Sequence, residues 1–139
     1  MIPKSEVCYA EEQWSLRQVA EKMIANDLTS IPVLNSEGKY VATISEGDLF
    51  RFIKRKANLN YKEAESTPIS ILKHERAVKP IRFDAQMKDL VGLAAKQNFV
   101  PVLDANGIFI GIVTRKAIIS YLDEKLKNIP DEKLPEHLR

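Results

Sequence analysis

"IPVLNSEGKYVATIS", residues 31–45, returns without a gap as "VPVLDANGIFIGIVT", residues 100–114. Pro32 aligns with Pro101, Gly38 with Gly107, Tyr40 with Phe109 and Ser45 with Thr114. Each copy reads as a short apolar strand, a glycine turn and a return strand. Proline is tolerated at the start of a strand, so Pro32 and Pro101 are expected to open theirs. Gly38 and Gly107 supply the backbone freedom that a hairpin turn needs. Two copies make a pair, since a solenoid takes about three or more.

Upstream of each hairpin lies an amphipathic helix. "LRQVAEKM" places Leu16, Val19, Ala20 and Met23 on one face, and "MKDLVGLA" does the same with Met87, Leu90, Val91 and Ala94. The spacing predicts helices near 15–26 and 85–97, capped by Ser15 and Asp84. Extended segments, "EVCYA" and "KPIRFD", lead into these helices. After each return strand comes a final helix, with Leu49, Phe50, Phe52 and Ile53 in copy one and Ile118, Ile119 and Leu122 in copy two.

Each unit therefore reads β-α-β-β-α. The hairpin strands are too apolar to face water, so helices or the other copy must cover them. One unit alone has a small core. The expected fold is α+β (α/β-like), with two β-α-β-β-α repeats packed sheet to sheet about a pseudo-two-fold axis. Repeat one is expected over 1–58, a linker with short helices over 59–77, repeat two over 78–127 and a tail over 128–139. In the linker, "YKEAEST" predicts a short helix stopped by Thr67-Pro68. "PISILK" predicts a further turn that packs Ile69, Ile71 and Leu72. The last helix should run to about Asn128, and the tail, with two prolines and many charges, should fray or await a partner.

The chain has 139 residues, 45% of them apolar, enough for a real core. A formal charge of +2 gives no bulk attraction for nucleic acid. A lone cysteine, Cys8, cannot form an internal disulfide and fits a reducing, cytoplasmic setting. It reads as a small half-buried residue rather than a nucleophile. The N-terminus lacks the apolar segment of a signal peptide, and no apolar run approaches a membrane span. His74 and His137 have no partner at metal-ligand spacing, so no metal site is expected. Nor does a nucleophile–base pair emerge, and an enzyme is not expected.

Chemistry concentrates where the return strand meets the final helix. Ser45 and Asp48 stand three apart there, as a near relative of the capping box. Such a cap satisfies free N–H groups and contributes about 1 kcal/mol. A ligand site is the other reading. The junction recurs in both copies, and Gly47 in the first helical turn weakens the helix while letting a ligand approach. A helix N-terminus attracts phosphate, and a carboxylate pairs with vicinal hydroxyls.

The hairpins and junctions, "IPVLNSEGKYVATISEGDL" and "VPVLDANGIFIGIVTRKAI", resemble a tandem pair of cystathionine-β-synthase (CBS) domains, a Bateman module. The likeness lies in the apolar-Pro-apolar-apolar strand, the glycine turn and the Ser/Thr-x-x-Asp ending. Among such proteins the chain is similar to the small stand-alone bacterial kind, which includes a cyclic di-AMP receptor. The resemblance implies a non-catalytic sensor that binds an adenosine-containing ligand (AMP, ADP or ATP) between the copies. Cyclic di-AMP binding and a ligand-free protein-interaction scaffold are the alternatives. It also implies a homodimer, through Leu90–Ala94 and the last helix, and a protein partner controlled by the ligand.

Carried over residue by residue, the resemblance implies two sites. Site one would use Ser45 and Asp48, with Thr29, Ser30, Ile31 and Pro32 at the base and Cys8 and Tyr9 as wall. Site two would use Thr114, with Asn98, Phe99, Val100 and Pro101 at the base and Arg82 and Phe83 as wall. Copy two departs from the pattern. Ala117 stands where copy one has Asp48, and it cannot accept a ribose hydroxyl. Arg115 beside Thr114 is placed to meet phosphate instead, and Arg76 and Lys79 in the basic linker are further phosphate candidates.

Overall fold

The computed structural model describes residues 1–56, 60–72 and 77–138. Copy one runs through strand β2 (Ala10–Glu11), helix α1 (Leu16–Ala25), strands β3 (Ser30–Leu34) and β4 (Tyr40–Ser45) and helix α2 (Glu46–Arg55). Copy two repeats that order in β5 (Ile81–Arg82), α4 (Met87–Ala94), β6 (Phe99–Leu103), β7 (Phe109–Thr114) and α5 (Arg115–Lys127). Strand β1 (Ile2–Pro3) precedes the first copy and helix α3 (Tyr61–Ser66) lies between the two. The fold is α+β with two repeats, as the repeat pattern implies.

The turns form as the sequence dictates. Gly38 and Gly107 adopt φ values of 80° and 83°, a left-handed region open to glycine. Asn35 and Asp104, equivalent residues, fold their side chains over their own turns. The Asn35 Oδ1 accepts from the Glu37 and Lys39 amides, and the Asp104 Oδ1 accepts from the Asn106 and Ile108 amides. Both hairpins carry a register shift one residue before the turn, at Val33/Leu34 and Val102/Leu103.

Lys39 and Ile108 hold the same position in the two copies, and they pair with each other in an isolated antiparallel bridge. Two equivalent residues can face each other only where an approximate two-fold axis passes between them. The Phe109 amide also donates to the Gly38 carbonyl at 3.0 Å, and Phe109 is wholly buried at that junction.

The first sheet has order β2-β3-β4 and the second β1-β7-β6-β5. The extra strand of the second sheet comes from the N-terminus, in antiparallel register Ile2↔Ile112 and Pro3↔Gly111. Gly111 is needed for this. A Cβ at that position would lie 2.3 Å from the Ile2 carbonyl oxygen, and copy one has Ala42 there, with no such strand described beside it. This cross-repeat strand was not foreseen from the sequence.

Helix α1 spans the predicted stretch and is closed by a reciprocal capping box between Ser15 and Gln18. Helix α4 is shorter than predicted, and Asp84 does not cap it. The chain turns after Arg82, so Asp84 falls two residues early; Gln86 takes the N-cap without a side-chain bond, while the Asp84 carboxylate accepts from Arg82. The linker folds as α3, then a short 3₁₀ turn over Ile69–Ile71. Ile69 and Leu72 join the core of copy one, whereas Ile71 points outward and is half exposed, contrary to the expectation. Two backbone bonds, Leu16 N–H to the Thr67 carbonyl and Ile69 N–H to the Trp14 carbonyl, seat the linker on that copy. The tail forms two 3₁₀ turns, Asp131–Lys133 and Glu136–Leu138. No helix among the described residues is long and apolar enough to cross a membrane.

Candidate functional site

A cleft of about 630 Å³ opens where the two copies meet. Small-molecule sites run from about 300 to 1,000 Å³, so this one is large enough for a ligand. From copy one it takes Ser30, Thr43, Ser45, Asp48 and Arg51. From copy two it takes Lys96, Gln97, Asn98, Phe99 and Arg115, and the stretch where the linker enters copy two adds Ala77 and Val78.

Local backbone chemistry sets these side chains. Ser45 ends β4 with extended φ and ψ and caps α2. Its Oγ accepts from the Asp48 amide at 3.1 Å, and its amide donates to the Asp48 Oδ2 at 2.9 Å. The cap reading of this pair is therefore realised in full. Asp48 is only 5% exposed, and its Oδ1 accepts from the Arg51 Nη2 at 2.7 Å. The Glu46 amide donates to the Thr29 carbonyl, so two first-turn N–H groups already have partners. Over Gly47 lies the Arg51 guanidinium, its Nη1 3.1 Å from where a Cβ would sit.

Copy two repeats the frame with other side chains. The Arg115 amide donates to the Asn98 carbonyl, as Glu46 does to Thr29. Thr114 caps α5 by accepting from the Ala117 amide, with no carboxylate to answer it. The Arg115 Nε donates to the Ala94 carbonyl at 2.7 Å, which draws its side chain across the end of α4 toward the cleft. Among the described residues, three cationic side chains, Arg51, Lys96 and Arg115, thus line the cleft with one carboxylate, Asp48.

The linker wall is fastened from both copies. The Tyr40 hydroxyl contacts Thr43 Oγ1 at 2.7 Å and donates to the Val78 carbonyl at 2.8 Å. Burial pushes the Tyr40 hydroxyl up to about 12, against the pull of its Thr43 hydrogen bond. From the other side, Gln97 brackets Lys79. Its Nε2 donates to the Lys79 and Phe99 carbonyls, and its Oε1 accepts from the Lys79 amide.

The structure joins residues that the sequence had divided between two sites. Ser30, Ser45 and Asp48 share a cleft with Asn98, Phe99 and Arg115. Thr29 is not among the lining residues and its carbonyl accepts from the Glu46 amide, while Ile31, Pro32, Val100 and Pro101 are buried in their strands. Cys8 and Tyr9 are not part of this wall. They line a separate groove with Val7, Glu11, Trp14 and Lys22, and Cys8 packs against the core. Arg82 and Phe83 are exposed and away from it too. The reason is register: Arg82 pairs with Leu103 at the turn end of β6, whereas the cleft opens at Phe99, four residues or about 13 Å off. The segment that reaches that end is 77–79. Lys79 is exposed and contributes its backbone; Lys73, His74 and Arg76 lie outside the described residues.

Thr43, Tyr40, Arg51, Lys96 and Gln97 were missed from sequence. Of these, Arg51 alone carried a local signal, since Asp48 and Arg51 are spaced for a helical i,i+3 pair. Among the described residues, no cluster of three or more His, Cys, Asp or Glu forms a metal set.

The family model described as CBS domain matches residues 1–55 and 75–124. The chain belongs to the CBS domain family. It is a tandem CBS pair. No curated protein matches the sequence significantly. Among solved structures, CbpB in complex with c-di-AMP is 26% identical, with a TM-score of 0.80, over 95% of this chain and 87% of that one. CbpB of Listeria monocytogenes, also with c-di-AMP, is 21% identical with a TM-score of 0.76, over 91% and 94% of the two chains. CBSX2 in complex with AMP is 21% identical with a TM-score of 0.70, over 90% and 94%. At 21% identity the last two show that the CBS pair shares their fold.

Proposed function

We propose that this CBS pair is a non-catalytic receptor for an adenine nucleotide, and that the nucleotide is cyclic di-AMP. The observation that carries the reading is the charge inventory of the cleft. Among the described residues, the Asp48 carboxylate is matched by Arg51, which leaves Arg115 and Lys96, both from copy two, lining the same space. Two cations suit a ligand with two singly charged phosphodiesters. Asp48 and Ser45 then take a ribose hydroxyl, and Phe99 offers an aromatic face to a base, an interaction of about 1–3 kcal/mol. The 26% identity to a CbpB bound to c-di-AMP, along 95% of this chain, supports the same ligand.

A simple mononucleotide is the second reading, favoured by the single carboxylate of Asp48 against Ala117 in the other copy. Thermal shift with cyclic di-AMP, AMP, ADP, ATP and S-adenosylmethionine separates the two. Ligand at about a hundred times its Kd adds roughly 2.7 kcal/mol of stability. Cyclic di-AMP is expected to give the largest shift at equal concentration. A larger shift with AMP would favour the mononucleotide, and no shift with any of the five would leave only the scaffold reading.

Downstream, the occupied cleft changes the surface offered to a partner protein, in the cytoplasm and in a homodimer. Exposed apolar side chains support the dimer: Met87 on α4 and Ile119 and Tyr121 on α5, with Ile24, Phe50 and Ile53 on the helices of copy one. Light scattering across a dilution series tests the assembly. The domain limits 1–58 and 78–127 are proposed as the two units joined by the linker.

A further inference from the structure

A buried carboxylate beside a phosphate site is a problem, because the two charges repel. Copy one solves it with three residues. Asp48 is 5% exposed and lines the cleft. Arg51, one turn on, places its Nη2 2.7 Å from the Asp48 Oδ1. The guanidinium reaches that position by crossing Gly47, where a side chain would meet its Nη1. In copy two all three positions differ together: Lys116, Ala117 and Ser120 replace Gly47, Asp48 and Arg51. The glycine, the acid and the base are thus present as a set in one copy and absent as a set in the other.

We infer that Arg51 is a positioning residue that holds the Asp48 carboxylate and cancels its charge, so that one cleft accepts both a ribose hydroxyl and phosphates. The inference rests on the nucleotide-receptor reading. A carboxylate accepts about four hydrogen bonds. The Ser45 amide and Arg51 each take one, which fixes the plane of the group and leaves lone pairs for the ligand. Without Arg51, Asp48 would still offer acceptors, but it would repel the phosphates that Arg115 and Lys96 attract. Gly47 belongs to the same device, because it keeps the track of the guanidinium open.

Isothermal titration with cyclic di-AMP on four proteins tests this: wild type, Arg51→Met, Asp48→Asn and the double variant. Arg51→Met is expected to weaken binding about tenfold or more, because it takes this partner away from the buried Asp48 carboxylate. Asp48→Asn keeps the shape of the side chain and removes its charge. The double variant should therefore bind more tightly than Arg51→Met alone, by roughly threefold or more. A purely structural role predicts the opposite order, and a double variant no tighter than Arg51→Met overturns the inference. So does an Arg51→Met protein that binds as the wild type does. If Arg51→Met does not fold, Gly47→Val pushes the guanidinium from its seat without changing charge. It should weaken binding in the same way and be rescued by Asp48→Asn; failure of either overturns the inference. A wild type that binds no cyclic di-AMP removes the cyclic di-AMP reading, and this inference with it.

Discussion

Tyr40 and Val78 lie 38 residues apart, and the Tyr40 hydroxyl donates to the Val78 carbonyl at 2.8 Å. A phenol has one proton to give. With it committed to Val78, the Thr43 hydroxyl must be the donor in the 2.7 Å contact with Tyr40. One hydroxyl thus ties a strand of copy one to the linker wall of the cleft.

Tyr40→Phe should cost about 1–2 kcal/mol, the loss of a partly buried hydrogen bond. The ring itself should be tolerated, since Phe109 fills the equivalent place in copy two. The same variant has a signature at high pH. Burial raises the Tyr40 hydroxyl from 10.0 to about 12. As pH rises the unfolded chain loses this proton first, so the contribution is full below about pH 10 and is lost between about 10 and 12. The loss should be on the order of 2–3 kcal/mol. Urea denaturation from pH 8 to 12 measures it as the difference between wild type and Tyr40→Phe. Two parallel curves would mean that Tyr40 titrates as an exposed tyrosine.

Gln97 makes three hydrogen bonds from one buried amide, two of them to Lys79. Gln97→Leu keeps the bulk and strands those backbone groups, so it should cost about 1–3 kcal/mol. Hydrogen exchange at the Lys79 amide is the direct measure. Protection there should fall in the variant, with little change in the strand amides of β3 and β4.

Thr114 caps α5 with half a capping box. Ala117→Asp supplies the missing carboxylate in an exposed position at a helix N-terminus. It should stabilise the protein by about 0.5–1 kcal/mol, from a second capping bond and the helix dipole. The urea midpoint should rise with an unchanged slope; a fall would show that the acid is unwelcome beside Asn98 and Phe99.

Gly111→Ala places a methyl group where the Ile2 carbonyl passes at 2.3 Å. Real Cβ atoms do not come so close, so strand β1 should leave the sheet. Residues 1–3 should then be trimmed readily by an aminopeptidase that spares the wild type. The rest of the fold should hold, because β6 and β7 pair independently of β1.

Much of the architecture could be read because its signals are local. Turn glycines, a capping serine and apolar spacing each act within a few residues. The same is true of Ser45 and Asp48, whose cap geometry follows from their spacing. What escaped was set by contacts across the chain. Nothing near Tyr40 announces Val78, and nothing near Gln97 announces Lys79. A two-residue strand such as Ile2–Pro3 has no periodicity to find. The wall residues went astray for a related reason. Which part of a leading segment reaches the cleft depends on its register against β3 or β6, and register comes from tertiary pairing.

The bridge between Lys39 and Ile108 also bears on ancestry. A residue that meets its own equivalent is making the contact two identical chains make in a symmetric dimer. The tandem chain is, in that sense, such a dimer with its subunits sewn together. In a dimer of identical chains every substitution appears twice, so both halves must keep the same device. Covalent joining lifts that constraint. It is what permits one half to hold Asp48 while the other holds Ala117, and lets a single chain present two different faces to one ligand.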